Sequence, residues 1–234
     1  MAKNRRMRPL SDFVLLEGRS LWSVNANPGV AIRGESLRKF RGVEHRRWDP
    51  NRSKLAAALL RTRNDPSDLL PQAGSTVLYL GAGHGTTISH LHDHLCGSGN
   101  QKSGRLIAVD LAPRCLRDLT YLAEQRPGLV PVLGDARKFE TWGVLLPRKV
   151  NWLFQDVAQA GQVEIFTSAV RRFLSQDGIG LLSLKAASER HREASERDVF
   201  ASAIAKLSQE LELIEHINLT GFEDQHALFV VRRR

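Results

Sequence analysis

A glycine-rich turn that follows a strand-like run is the most informative stretch of the sequence. The apolar run VLYLGAG enters this turn, whose expected cofactor-binding positions are Gly81, Gly83, Gly85, Thr86 and Thr87. In open α/β sheets such a turn lies beyond the carboxyl end of a strand, where its backbone can approach a ligand closely. A dinucleotide site of the G-x-G-x-x-G type would need glycine at position 86. Thr86 therefore disfavours a nicotinamide cofactor, and the tighter G-x-G-x-G spacing indicates S-adenosylmethionine.

Three carboxylates follow successive strand-like runs after that turn. Asp110 ends RLIAVD, where it can accept hydrogen bonds from both hydroxyls of a ribose. Asp135 ends LVPVLGD, where it can accept a hydrogen bond from an adenine amino group. Asp156 ends VNWLFQD. One such Asp is often only a turn former, but three of them indicate a nucleotide-like cofactor, and no metal ligands are expected. The site should include the residues that follow these carboxylates: Leu111, Ala136, Val157, Ala158 and Gln159.

Strand-like and helix-length segments alternate regularly from residue 76 onward. A fifth strand-like run, IGLLSLK, follows the four just described, and candidate helices lie at 86–95, 113–125, 137–146 and 161–175. This alternation indicates a mostly parallel sheet with helices on both faces. The last apolar runs, LELIEHINL and HALFVVRRR, are separated only by TGFEDQ and should pair as an antiparallel hairpin at the sheet edge. The predicted fold is α/β, a Rossmann-like methyltransferase sheet of seven strands rather than a dehydrogenase sheet.

The N-terminal residues differ in pattern from the rest. We predict a small β-rich module at 1–48, with VLLEG, LWSV and GVAIRG as short strands, and the methyltransferase domain at 49–234. Asp49 is expected to cap the helix that WDPNRSKLAAALLRT opens, with Pro50 at its first position. The polar stretch at 187–198 is expected to start a helix that continues to residue 210.

The positive charge is concentrated in the first third of the chain. The net charge is +9 over 234 residues, and residues 1–72 hold 15 Lys and Arg against 7 Asp and Glu. A localised positive field attracts phosphates, so the basic cluster Arg46, Arg47, Arg52 and Lys54 is predicted to contact RNA or a partner.

The chain has no apolar run of membrane-spanning length, about 18 residues, and no apolar stretch follows the basic N-terminus. Two cysteines suit a reducing interior, and we expect a cytoplasmic protein that does not bind membranes.

Several longer segments resemble the fibrillarin family of RNA methyltransferases. They include RGVEHRRWDPNRSKLAAALL (41–60), VLYLGAGHGTTISH (77–90), PVLGDARKFE (131–140), FQDVAQ (154–159) and DQHALFVVRR (224–233). WDPNRSKLAAA and DVAQ are specific to that family, and the likeness runs from about residue 11 to the end. The chain departs from it at His84, where a small residue is usual, and in a longer polar loop at 96–104. It resembles the archaeal form because no Gly/Arg-rich tail is present.

The resemblance implies 2′-O-methylation of ribose in rRNA, and also in tRNA, with S-adenosylmethionine as methyl donor. It implies a catalytic tetrad of Lys39, Asp156, Lys185 and His226. Asp156 and Lys185 end neighbouring strands, so both should face one crevice at the carboxyl edge. Lys185 could act on the 2′-hydroxyl as a base or as a cation that stabilises the oxyanion.

The resemblance also implies assembly with partners. These are a box C/D guide RNA that pairs with the target, a Nop-domain scaffold protein and a kink-turn-binding ribosomal-like protein. Two other functions remain open at this point. One is a methyltransferase with a protein target, such as a glutamine side chain, and the other is a non-catalytic subunit of an RNA–protein particle.

Overall fold

A computed structural model describes residues 7–146, 148–189 and 195–234. Its first sheet is antiparallel, with strands in the order β1-β2-β3-β5-β4. The strands are β1 Arg8–Pro9, β2 Val14–Glu17, β3 Ser20–Val24, β4 Leu37–Phe40 and β5 Val43–Trp48. The strand predicted at 29–34 is wrong, because this segment is a loop in which Gly29 and Gly34 both have positive φ. The division of the chain after residue 48 stays a prediction.

Helix α1 spans Lys54–Arg61, later than the sequence predicted. Its N-cap is Ser53, whose side chain accepts a hydrogen bond from the backbone N–H of Ala56. The Asp49 side chain instead accepts from the backbone N–H of Asn51, within the preceding turn. The prediction that Asp49 caps this helix is therefore wrong, and the shift makes Lys54 the first helical residue.

The second sheet has seven strands in the order β11-β12-β10-β9-β6-β7-β8. Strands β6 to β10 are parallel, and β12 lies antiparallel between β10 and β11, which confirms the predicted terminal hairpin. The strands are β6 Thr76–Leu80, β7 Arg105–Asp110, β8 Leu129–Leu133, β9 Val150–Gln155, β10 Leu174–Lys185, β11 Leu211–Asn218 and β12 His226–Arg233. The helices are α2 Thr86–Cys96, α3 Pro113–Glu124, α4 Gln162–Phe173, α5 Ala186–Glu189 and α6 Glu196–Glu210. Among the described residues, no helix is long and apolar enough to span a membrane.

Two predicted helical segments differ in the structure. The helix predicted at 137–146 is wrong, since two short 3₁₀ turns, Phe139–Thr141 and Gly143–Leu145, take its place. Trp142 between them stacks on Phe173 and donates from its indole N–H to the carbonyl of Asp135. The helix expected from 187 onward is divided into α5 and α6, the second with a capping box at Ser195 and Asp198. Part of that stretch, 190–194, lies outside the described residues.

The two sheets share one hydrophobic core through α2. Phe13 and Trp48 of the first sheet are buried in the same cluster as Leu91 and Leu95 of α2. The Trp48 ring stacks on His90 with centroids 4.8 Å apart. This packing fixes the N-terminal sheet against the helix that follows the glycine turn.

Candidate active site

A cleft of about 630 Å³ opens at the carboxyl edge of the seven-stranded sheet. Its volume lies within the range of about 300–1,000 Å³ that is usual for cofactor and ligand sites. Ten predicted cofactor-binding residues line it: Gly81, Gly83, Asp110, Leu111, Asp135, Ala136, Asp156, Val157, Ala158 and Gln159. Val109, Gly134 and Glu223 also line it and were missed, because none carries a motif that marks a site.

The glycine turn forms one wall of the cleft. Gly81 has a φ of 80°, and a Cβ there would lie 2.3 Å from the carbonyl oxygen of Asp156, so only glycine fits between the two strand ends. The N–H of Gly83 donates to Oδ2 of Asp110 over 2.7 Å, and a Cβ at Gly83 would meet nothing within 4 Å. The Asp110 carboxylate thus fixes the turn through the Gly83 N–H, and the space beside the Cα of Gly83 stays open for a ligand.

Three predicted cofactor residues do not line the cleft. Gly85 is the N-cap of α2 and has positive φ, and a Cβ there would lie 3.0 Å from the Leu122 side chain and 3.2 Å from that of Leu119 on α3. Thr86 lines a different pocket beside Arg47, and Thr87 is buried and donates to Oγ of Ser53 over 2.9 Å. Gly85 and Thr87 thus belong to the packing of α2, and Thr86 faces the second pocket.

His84 links the glycine turn to α3. Its Nδ1 lies 2.8 Å from Oδ2 of Asp118, and its Nε2 lies 3.7 Å from Sγ of Cys115. The carbonyl of His84 accepts a hydrogen bond from Arg33 of the β3–β4 loop. The hydrogen bond from His84 lowers the pKa of Asp118. This histidine fastens the outer side of the turn and does not line the cleft.

The part of the cleft next to the glycine turn, at the ends of β7 and β8, fits an adenosine group. The Asp110 carboxylate lines it, and Leu111 beside it leaves 57% of its surface exposed, which suits contact with a flat apolar ring. Asp135 is held by Arg137, whose Nη2 lies 2.6 Å from its Oδ2, and this hydrogen bond lowers the pKa of Asp135. A carboxylate that stays ionised can accept hydrogen bonds from hydroxyl and amino groups. The residues present therefore fit S-adenosylmethionine.

Charged side chains converge at the other end of the cleft. Lys54 Nζ lies 3.4 Å from Oδ2 of Asp156 and 3.7 Å from Oε1 of Glu223. Lys185 on β10 is the direct cross-strand partner of His226 on β12. His226 Nδ1 lies 2.9 Å from the carbonyl oxygen of Asp224, and because a carbonyl only accepts, Nδ1 is the donor in this hydrogen bond. Three of the four predicted tetrad residues, Asp156, Lys185 and His226, thus line one cleft.

Lys39 does not join them, and its predicted position in the tetrad is wrong. It lies on β4 opposite Glu44 and does not line the cleft. Lys54, predicted to contact RNA or a partner, occupies the place beside Asp156 instead. Lys54 reaches this place because α1 begins at Lys54 and not at Pro50, which brings the first residue of the helix to the carboxyl edge of the sheet. The cap residue Ser53 in front of Lys54 was the signal that could have located it.

Arg46 also differs from its prediction as a surface cation. Its side chain is fully buried and donates to Oδ2 of Asp93 from Nη2 over 2.7 Å, and it pairs with Glu35 as well. Arg126, also buried, contacts the other oxygen of Asp93. Arg47 and Arg52 are exposed and border a pocket next to the cleft, where they stay candidates for RNA or partner contact.

Comparisons with known proteins agree on one family. A family model described as fibrillarin matches residues 11–234. The chain is 40% identical over 209 residues to the fibrillarin-like rRNA/tRNA 2′-O-methyltransferase of Thermococcus sibiricus, covering 89% of this chain and 88% of that protein. It is similar to Aeropyrum pernix fibrillarin solved with natively bound S-adenosyl-L-methionine, with 32% identity, a TM-score of 0.81 and coverage of 99% of this chain and 100% of that one. It is also similar to a chain of a fibrillarin/Nop5p complex, with 30% identity, a TM-score of 0.80 and coverage of 94% and 97%.

Proposed function

This chain belongs to the fibrillarin family, and we propose on that basis that it is an S-adenosylmethionine-dependent 2′-O-methyltransferase of rRNA and tRNA. One observation carries the proposal. The glycine turn and the charged residues Lys54, Asp156, Lys185 and His226 line the same cleft, which fits the methyl donor at one end and an acceptor group at the other. The relatives of known structure and name support the same cofactor and the same class of substrate.

The cofactor, when bound, supplies a methyl group on a positively charged sulfur. The chain's own task is to hold donor and acceptor in line, and orientation of this kind is worth up to about 7–11 kcal/mol of the activation barrier. The glycine turn would hold the donor because its backbone lies at the wall of the cleft, and Asp110 and Asp135 would hold the adenosine group. Asp156 and Lys185 line the same cleft and are the residues that would meet the acceptor.

The acceptor is a ribose 2′-hydroxyl, a weak nucleophile that must lose its proton as the new C–O bond forms. Lys54 and Lys185 bring two amino groups to that end of the cleft, and a positive field stabilises negative charge on the oxygen. Asp156 fixes Lys54 through their contact at 3.4 Å, and Glu223 lies between Lys54 and His226. We infer that Lys185 contacts the acceptor oxygen and that Lys54, Asp156 and His226 position it.

A scaffold protein with a Nop domain is the partner that the solved fibrillarin/Nop5p complex supports for this family. We infer further that a box C/D guide RNA selects the target by base pairing and that a kink-turn-binding protein completes the particle. The exposed Arg47 and Arg52, beside the cleft, would contact RNA or the scaffold there.

The test is transfer of a labelled methyl group by the assembled particle to a guide-matched RNA. A second RNA, identical except for a single 2′-deoxyribose at the target nucleotide, is the matched control. We expect label in the first RNA at that nucleotide and none in the second. Label in both RNAs, or in a protein component instead, would contradict the proposed reaction.

A further inference from the structure

A second basic surface lies at the opposite edge of the seven-stranded sheet. It is a groove of about 600 Å³, here called the amino-edge groove, whose charged lining residues are Arg148, Lys149, Arg171 and Arg172. These residues come from two places in the sequence, directly before β9 and at the end of α4. Strand β12 runs antiparallel to β10, so its terminal Arg233 reaches the same edge. Since β9 has six residues, the groove and the cleft are separated by the length of the strand, roughly 20 Å.

The cations of the groove are crowded. Lys149 donates from Nζ to the carbonyl of Arg171 over 2.9 Å, and Arg233 donates to the carbonyl of Leu174 over 3.1 Å. Partial burial lowers the pKa of Lys149, and the neighbouring charges of Arg233 and Arg172 lower it further. Within the described ranges, the one carboxylate that pairs with a groove residue is Glu210, which contacts Arg171. The positive charge of the groove is therefore largely uncompensated by the protein.

Capping of α4 explains only part of this arrangement. Cations at a helix C-terminus are stabilised by its carbonyl groups, which carry about half a negative charge in total. That accounts for Lys149, which contacts two of those carbonyls. Arg148 and Arg172 are exposed and make no ion pair or side-chain hydrogen bond within the described part of the chain. Two guanidinium groups are thus available to a ligand from outside.

We propose that the amino-edge groove binds the phosphodiester backbone of RNA, as a contact separate from the catalytic cleft. A guanidinium group matches two phosphate oxygens with two parallel N–H donors, which makes Arg well suited to this ligand. RNA is favoured over an acidic protein because RNA is the substrate in the proposed function, and the choice of RNA as the polyanion rests on that function. Contacts with phosphate carry no sequence information. The groove would therefore bind a part of the RNA that lies outside the catalytic cleft, whatever its sequence.

The experiment compares RNA binding by three full-length proteins. They are the parent chain, the groove variant Arg148→Glu/Arg172→Glu and the control variant Arg8→Glu/Arg63→Glu, which makes the same charge change at two exposed positions outside the groove. Fluorescence anisotropy measures the affinity for a labelled oligouridylate at several salt concentrations. Each lost phosphate contact should reduce the slope of log affinity against log salt by about 0.7, so the groove variant should lose about 1.4 and bind about tenfold more weakly at low salt.

The control variant should keep most of the slope and affinity of the parent. Unchanged binding by the groove variant, or an equal loss in both variants, overturns the proposal. Unchanged RNA binding with weaker capture of the Nop-domain scaffold also overturns it and assigns the groove to a protein. If the groove variant does not fold, judged by S-adenosylmethionine binding, the neutral variant Arg148→Gln/Arg172→Gln decides by the same criteria. Methyl transfer by the parent particle tests the proposed function separately. Failure of the proposed function can therefore be distinguished from failure of RNA binding by the amino-edge groove.

Discussion

Arg46→Ala removes the centre of a buried ion cluster between the N-terminal sheet and α2. In the folded chain, Nε and Nη2 of Arg46 donate to Oδ2 of Asp93 over 3.1 and 2.7 Å, and Nη1 contacts Glu35. The side chains of Arg46 and Asp93 are both fully buried. Asp93 keeps Arg126 as a partner after the substitution, but Glu35 loses its only cation within the described residues.

The size of the effect follows from burial. Removing one partner of a buried ion pair costs about 3–5 kcal/mol, because the remaining charge stays in a poorly solvated place. The side chains of Arg46 and Asp93 are fully buried, and that of Glu35, which is left without a cation, is only 13% exposed, so solvent screening reduces this figure much less than at the surface. For a chain of this size, each kcal/mol lowers the melting temperature by about 2–4 °C. Arg46→Ala should therefore melt roughly 6–20 °C below the parent protein.

Urea unfolding followed by circular dichroism measures the change in the free energy of unfolding. Arg47→Ala is the matched control, since Arg47 is the adjacent residue in β5 and is exposed. A surface substitution of this kind usually changes stability by less than about 0.5 kcal/mol. If Arg46→Ala were as stable as Arg47→Ala and weakened RNA binding instead, the assignment of Arg46 to the core would be refuted.

Three further predictions concern the cleft and the buried histidines. Lys54→Ala removes one of the two amino groups that stabilise negative charge on the acceptor oxygen, and it should lower the single-turnover rate of methyl transfer by about 10²-fold or more. Lys39→Ala should leave the rate near the parent value, and equal effects of the two substitutions would contradict the placement of Lys54. Asp110→Ala should weaken S-adenosylmethionine binding by about 1.5–3 kcal/mol in calorimetry, the usual loss for a charged hydrogen bond; unchanged affinity would remove Asp110 from the site. Burial holds the pKa of His90 well below 6.5. As the pH falls below about 6.5, His90 therefore takes up a proton in the unfolded chain but not in the folded chain. Stability should therefore fall with pH below that value, and His90→Gln should reduce the slope of the unfolding free energy against pH, while an identical slope would contradict the burial argument.

The sequence predicted the parallel sheet and the position of the cleft because both depend on local patterns. Asp110 and Asp156 directly follow apolar runs, and parallel strands place their carboxyl ends at one edge. The terminal hairpin was predictable for the same reason, since its two strands are close in sequence.

The site residues that were wrongly predicted or missed depend on contacts between segments that are distant in the sequence. Arg46 looks like its neighbour Arg47 in sequence, and only the contacts of β5 with α2 show that it faces Asp93. Lys39 and Lys54 both lie in the basic first third of the chain, and the start of α1 decides which one reaches Asp156. Glu223 reaches the cleft from the turn before β12, where no motif marks it.

In the proposed reaction the cleft transfers a methyl group and Lys185 acts on the acceptor oxygen. The most direct measurement is the single-turnover rate of methylation by the assembled particle with Lys185→Ala, taken together with its affinity for S-adenosylmethionine. An interaction made only as the methyl group moves lowers the rate without lowering ground-state affinity. We predict a rate about 10²–10⁴-fold below that of the parent particle, with cofactor affinity unchanged. A near-normal rate, or a loss explained entirely by weaker cofactor binding, would contradict this role of Lys185.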